Sequence, residues 1–158
     1  MELSEALTLV DHLRSAGKTV VFTNGVYDLL HPGHIRYLQS ARKLADALIV
    51  GVNSDRSVRS IKGTGRPINR DAERAEIVAA LECVDAAVIF DEDTPYEIIA
   101  ALRPDVLVKG ADWAEDAIVG RDIVEARGGR VVRMPVEPGY STTAILDRVR
   151  NSACPPLP

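Results

Sequence analysis

The sequence predicts a doubly wound α/β fold around a five-stranded parallel sheet. First, short β-branched segments that are apolar on both faces alternate with amphipathic stretches along the 158 residues. Second, three of those segments run directly into polar, glycine-marked continuations: Asn24-Gly25, Gly51-Val52-Asn53-Ser54-Asp55 and Lys109-Gly110-Ala111-Asp112. Ligands of open parallel sheets sit beyond the carboxyl ends of the strands, so these residues fall where such a fold would use them. Third, no repeat and no change of composition divides the chain. One domain is expected over residues 1–150, with a frayed Pro-rich tail over 151–158.

Each element has its own signal. Leu3 to Ser15 reads as a helix with Leu3, Leu7, Val10 and Leu13 on one face and Gly17 as its stop. Strands are expected at Thr19–Thr23, Leu48–Val52, Ala86–Phe90, Val106–Lys109 and Arg130–Met134, each bounded by Gly, Asp, Asn or Pro. Helices are expected between them at His34–Ala45, Ala72–Leu81, Pro95–Leu102 and Asp122–Arg127, and Ser141–Arg150 closes the chain. Residues 55–70 hold Gly63, Gly65 and Pro67 among five basic residues and read as a mobile surface loop.

Composition narrows the functional classes. A net charge of −4 provides no general basic field toward nucleic acid or an anionic membrane, so any anion must be captured locally. No apolar run approaches the roughly 20 residues of a membrane span, and Met1-Glu2-Leu3-Ser4-Glu5 is unlike a signal peptide. Cys83 and Cys154 follow no ligand spacing, which predicts a cytoplasmic protein without disulfides. His12 is expected on the solvated side of the first helix, and Gly128-Gly129 is read as a helix stop rather than an RNA-binding fragment.

The chemistry concentrates in residues 22 to 34. Val20-Val21-Phe22 ends in a small polar turn, and His31-Pro32-Gly33-His34 then opens an amphipathic segment. Both imidazoles therefore fall where backbone N–H groups lack intrahelical partners, a place that attracts anions. Three readings are open: helix-capping histidines, a metal site shared by Asp28, His31 and His34, and a phosphate site with Gly33 giving close backbone approach. Lys62, Arg66, Asn69 and Arg74 are candidates for gripping a second anion, whereas Arg56 and Arg59 read as solvated. Asp91-Glu92-Asp93 reads as an acidic turn.

Gly25-Val26-Tyr27-Asp28-Leu29-Leu30-His31-Pro32-Gly33-His34 resembles the signature of the cytidylyltransferase-like nucleotidyltransferases, and Gly139-Tyr140-Ser141-Thr142-Thr143 resembles their second motif. Between them, Arg42-Lys43-Leu44-Ala45-Asp46, Val52-Asn53-Ser54-Asp55, Lys62-Gly63, Arg66-Pro67-Ile68-Asn69 and Val108-Lys109-Gly110-Ala111-Asp112-Trp113 are most similar to the D-glycero-D-manno-heptose 1-phosphate adenylyltransferases. The resemblance implies a Rossmann-like (HIGH-type) nucleotidyltransferase fold. It also implies transfer of AMP from ATP to heptose 1-phosphate, giving ADP-heptose for lipopolysaccharide.

By the same resemblance His31, His34, Arg42 and Lys43 are expected to be catalytic. Thr23, Asn24, Gly25, Tyr27, Asp28, Gly33, Lys109, Gly110, Gly139, Ser141, Thr142 and Thr143 are expected at the nucleotide, with Asp28 bracing its loop. Lys62, Arg66, Asn69, Arg74, Asp112 and Trp113 are expected at the acceptor, and Mg²⁺ is expected through phosphate oxygens rather than protein ligands. Related glycerol-3-phosphate cytidylyltransferases carry an arginine near the position of Val136, and its replacement here favours ATP over CTP. A cytidylyltransferase for an alcohol phosphate and a non-catalytic nucleotide-binding regulator are the alternatives. The length leaves no room for a sugar-kinase domain, so a separate heptose kinase is expected upstream, and a homodimer is in keeping with such relatives.

Overall fold

The computed structural model describes residues 1–111, 114, 117–135 and 137–152. The elements run α1 (Leu3–Ser15), β1 (Val20–Gly25), α2 (Pro32–Arg42), β2 (Ala47–Asn53), α3 (Asp55–Lys62), α4 (Asp71–Ala79) and β3 (Ala86–Phe90). Then follow α5 (Tyr96–Leu102), β4 (Val106–Gly110), α6 (Arg121–Glu125), β5 (Arg130–Met134) and α7 (Thr142–Asn151). The five strands form one all-parallel sheet in the order β3-β2-β1-β4-β5. Strand order reverses between β1 and β4, which opens a crevice at their carboxyl ends.

The strands are apolar on both faces because each side of the sheet is covered. Phe22, Ile49, Val88 and Leu107 meet Ala6 and Val10 of α1, Ile98, Ile99 and Leu102 of α5, and Val124 of α6. Their strand neighbours Val21, Leu48, Val50, Val106 and Val108 point the other way, onto Leu38 and Ala41 of α2 and Ala75 and Val78 of α4. This double cover erases the polar/apolar alternation of a half-solvated sheet. On the edge strand β5, Arg130 and Arg133 are exposed, which discourages further strand pairing.

All five expected strands are present, with ends shifted by two residues or fewer. One expectation fails: residues 55–62 of the supposed loop form α3. Ser54 caps it by accepting a hydrogen bond from the Ser57 amide, and Asp55 lies in the first turn, where negative charge is favoured. Only Val58 of its apolar residues is buried, too few to mark a helix by periodicity. Arg56 reaches over to Asp91 (2.8 Å) and Asp93 (3.2 Å), so the acidic turn is a surface ion-pair partner. Asn151, expected in the tail, closes α7; residues 153–158, with Cys154, lie outside those described. Cys83 is a free, half-buried thiol, and no helix among the described residues is long and apolar enough to cross a membrane.

Candidate functional site

A cavity of about 890 Å³ opens at the β1/β4 crevice, large enough for a nucleotide. Gly25 ends β1, and the chain swings toward α2 through Tyr27, whose φ of 49° is unusual for a bulky residue. Tyr27 is buried against Gly25; a Cβ at Gly25 would lie 3.0 Å from that ring. His31 is the N-cap of α2 and Pro32 begins the helix. The His31 Nδ1 accepts a hydrogen bond from the His34 amide at 3.3 Å. With Nδ1 an acceptor, the neutral ring carries its proton on Nε2 and offers a donor there. The His31 and His34 rings stack with centroids 3.7 Å apart and planes 16° from parallel. A Cβ at Gly33 would meet the Tyr140 Cβ at 3.0 Å and the His31 Nδ1 at 3.1 Å, so this glycine admits protein groups as well as ligand.

Both histidines are neutral near pH 7. Burial first, then repulsion from His31 once that ring takes up a proton and from Lys62, lowers His34 to about 4, and burial also lowers His31. His34 thus binds its proton in the unfolded chain below about 6.5 but in the folded one only near 4. Stability is therefore fully present above about 6.5 and falls as pH drops from there toward 4. In thermal melts between pH 7 and 4.5, His34→Gln should lose less melting temperature than the parent chain; equal losses would contradict this.

Two helix N-termini converge on the cavity. Besides α2, the start of α7 lines it with Ser141, Thr142 and Thr143, and Ser141 caps α7 by accepting from the Ala144 amide at 3.0 Å. Unpaired amides and helix dipoles both favour an anion between them. Lys62 and Arg66 line the same space, while Glu137 is the one carboxylate among its described lining residues. Glu137 is ion-paired to Arg36, whose guanidinium also lies 5.6 Å from the Tyr140 ring centre. The site is locally cationic in an acidic protein.

Of the expected residues, the cavity is lined by Asn24, Gly25, Tyr27, His31, Gly33, His34, Lys62, Arg66, Gly110, Ser141, Thr142 and Thr143. Others brace it from behind. Thr23 is fully buried, donating to the Val108 carbonyl (3.0 Å) and sharing a hydrogen bond with the Tyr37 hydroxyl (2.9 Å). Asp28 is buried: one carboxylate oxygen accepts from the amides of Ile68 (2.8 Å) and Asn69 (3.0 Å), and the other pairs with Arg66 (3.3 Å). The Asn69 side chain donates to the Asp28 carbonyl, so both hold loop to loop. Lys109 hydrogen-bonds Asn24, and Gly139 supplies a φ of 85° to the turn before α7. Asp112, Trp113 and Val136 lie outside the described residues.

Three of the expected residues do not line the cavity. Arg42 sits at the far end of α2, ten residues or about 15 Å from its N-terminus. There it pairs with Asp85 (3.0 Å) and donates to the Ala45 carbonyl (2.7 Å), away from the cavity. Lys43 follows it as the exposed C-cap. Arg74 is completely buried and donates to the Asn69 and Val26 carbonyls and to Asp55, a structural task. Sequence reasoning overlooked Arg36, Tyr37 and Ser40, which line the cavity from α2. Their spacing from Gly33 follows one helix face, which was the available signal.

The chain matches the cytidylyltransferase-like family over residues 22–148. It belongs to that family. Among family members, it is 56% identical over 136 residues to the bifunctional protein HldE of Syntrophotalea carbinolica, covering 86% of this chain and 28% of that protein. Against bifunctional protein HldE of Hyphomonas neptunium, identity is 55% over 139 residues, with 88% and 29% covered. The chain thus spans less than a third of the length of these relatives. A solved neighbour is the lipopolysaccharide core biosynthesis protein from Thermoplasma volcanium GSS1, with TM-score 0.67 and 29% identity over 77% of this chain and 99% of that one.

Proposed function

We propose that this chain is a nucleotidyltransferase that transfers AMP from ATP to D-glycero-D-manno-heptose 1-phosphate. The observation that carries this is the convergence of the α2 and α7 N-termini and the stacked His31–His34 pair on one cavity at the β1/β4 crevice. The motif resemblance to heptose 1-phosphate adenylyltransferases and the identity to HldE proteins support this acceptor. A phosphate oxygen of the sugar attacks the α-phosphorus of ATP, forming a new P–O bond. The bond to the β-phosphate oxygen breaks, and pyrophosphate leaves with its electron pair. The acceptor is already an anion near neutral pH, so no general base is needed.

The protein's task is then to hold two anions together and stabilise charge on the phosphoryl oxygens. The Nε2–H of His31 donates to the α-phosphate region, and His34 beside it responds to the same charge. The α7 amides and the hydroxyls of Ser141, Thr142 and Thr143 hold the outer phosphates, and Lys62 and Arg66 supply positive charge. Mg²⁺ accompanying ATP offsets phosphate charge when bound. No cluster of ligating side chains occurs among the described residues, and Glu137 is already paired, so the residues suit an ion carried by the phosphates.

The test is pyrophosphate release with ATP or CTP, each offered heptose 1-phosphate or glycerol 3-phosphate. ATP with heptose 1-phosphate should be the productive pair, with ADP-heptose identified by mass. Release with only CTP and glycerol 3-phosphate would assign a cytidylyltransferase. Nucleotide binding without release from any pair would assign a regulator. The acceptor's phosphate is supplied by a kinase acting upstream.

A further inference from the structure

Lys109 is partly buried at the end of β4 and hydrogen-bonds the side-chain oxygen of Asn24 at the end of β1. The two residues lie two positions beyond the paired Phe22 and Leu107, on the same face of the sheet. That face packs against α1, α5 and α6, whereas α2 and its histidines cover the other. Lys109 meets no carboxylate within ion-pair distance among the described residues, and its register neighbour on β5 is another cation, Arg133. Among the described residues the Lys109 ammonium thus has no counter-charge, which is costly where it is buried. Asn24 and Gly110 line the cavity, so this cation stands directly behind its floor.

An ammonium has donors only, and an amide has one oxygen and one NH₂. Lys109 therefore fixes which way the Asn24 amide faces. With the oxygen turned to Lys109, the NH₂ group is left for the cavity. We propose that Asn24 is a phosphate-binding residue, its NH₂ donating to a phosphate oxygen at the cavity floor, and that Lys109 is the positioning residue that holds the amide in that orientation. The phosphate is approached from the sheet face opposite the histidines, so the two sets of donors enclose it. Burial lowers Lys109 to about 8, which keeps most of it protonated, and donating, near pH 7. The proposal rests on the nucleotidyl-transfer reading for its substrates, but not for its geometry.

The test is a double-mutant cycle on the full chain, with N24A, K109M and the double variant read by pyrophosphate release from ATP, Mg²⁺ and heptose 1-phosphate. N24A should lower kcat/KM by about 10²-fold, as loss of a well-placed donor does. K109M should lower it by roughly tenfold or more, and the double variant should be no slower than N24A, because Lys109 acts through the amide. Losses that multiply would overturn the proposal, as would an N24A rate within about threefold of the parent. A rise in KM for ATP would assign the phosphate to the nucleotide, and a rise for heptose 1-phosphate would assign it to the acceptor; both support the donor role. A second measurement needs no turnover: the Asn24 side-chain amide NMR signal, assigned by its loss in N24A, is followed during titration with inorganic pyrophosphate and with inorganic phosphate. It should shift in the parent chain and not in K109M; no shift with either anion would overturn the proposal. A parent chain that releases no pyrophosphate from any pair ends the transfer reading, while this titration still decides the role of the amide.

Discussion

His31→Ala and His34→Ala should each lower kcat for pyrophosphate release by about 10²–10³, the usual cost of removing one preorganised donor from a charge-developing site. KM for ATP should change much less, since two helix N-termini and Lys62 and Arg66 still line the cavity. The two substitutions are not equivalent. His31 is the N-cap of α2 and accepts from the His34 amide, so its loss also weakens the helix start, by about 1 kcal/mol. His31→Asn keeps a capping acceptor in a shorter side chain, and should restore the melting temperature without restoring turnover. Initial rates with ATP and heptose 1-phosphate, set beside melting curves, separate the two effects. A variant with near-normal kcat would remove that histidine from the chemistry.

The second large effect is on stability. Arg74→Met should cost about 3 kcal/mol, the low end of what breaking a buried ion pair costs, because Asp55 keeps some access to water. The methionine would fill much of the space but leave the Val26 and Asn69 carbonyls and the Asp55 carboxylate without their donor. For a domain of this size that corresponds to a fall in melting temperature of about 6–12 °C. A melting temperature within about 2 °C of the parent would show that the network is dispensable. Arg74 ties the loop after β1, the segment before α4 and the first turn of α3 to one guanidinium. The variant should therefore also loosen Lys62 and Arg66, raising KM for a phosphate substrate.

The same residue shows where sequence reading stops. Arg74, Lys62 and Arg66 are alike in sequence, and all three read there as candidates for anion binding. Only the fold separates them, by burying Arg74 completely while Lys62 and Arg66 face the cavity. Arg42 stands apart for a related reason: on a straight helix, ten residues carry it the helix length from the N-terminus that lines the cavity. Helix α3 went unread because its cap and charge pattern, rather than an apolar stripe, define it. Asp28 is expected both at the nucleotide and as a brace, and in the fold its carboxylate accepts from the amides at 68 and 69.

The sequence by itself determined the strands, their parallel arrangement, the Gly-x-Tyr-Asp…His-x-Gly-His turn and the Ser-Thr-Thr helix start. Each is local, set by side-chain period, capping and backbone freedom within a few residues. Tertiary structure alone decided which cations face the cavity, that His31 and His34 stack as neutral rings, and that Lys109 turns the amide of Asn24. Those outcomes depend on burial and on partners as far as 85 residues away in the chain. Desolvation and hydrogen-bond direction are properties of the assembled surroundings, and no stretch of sequence carries them alone.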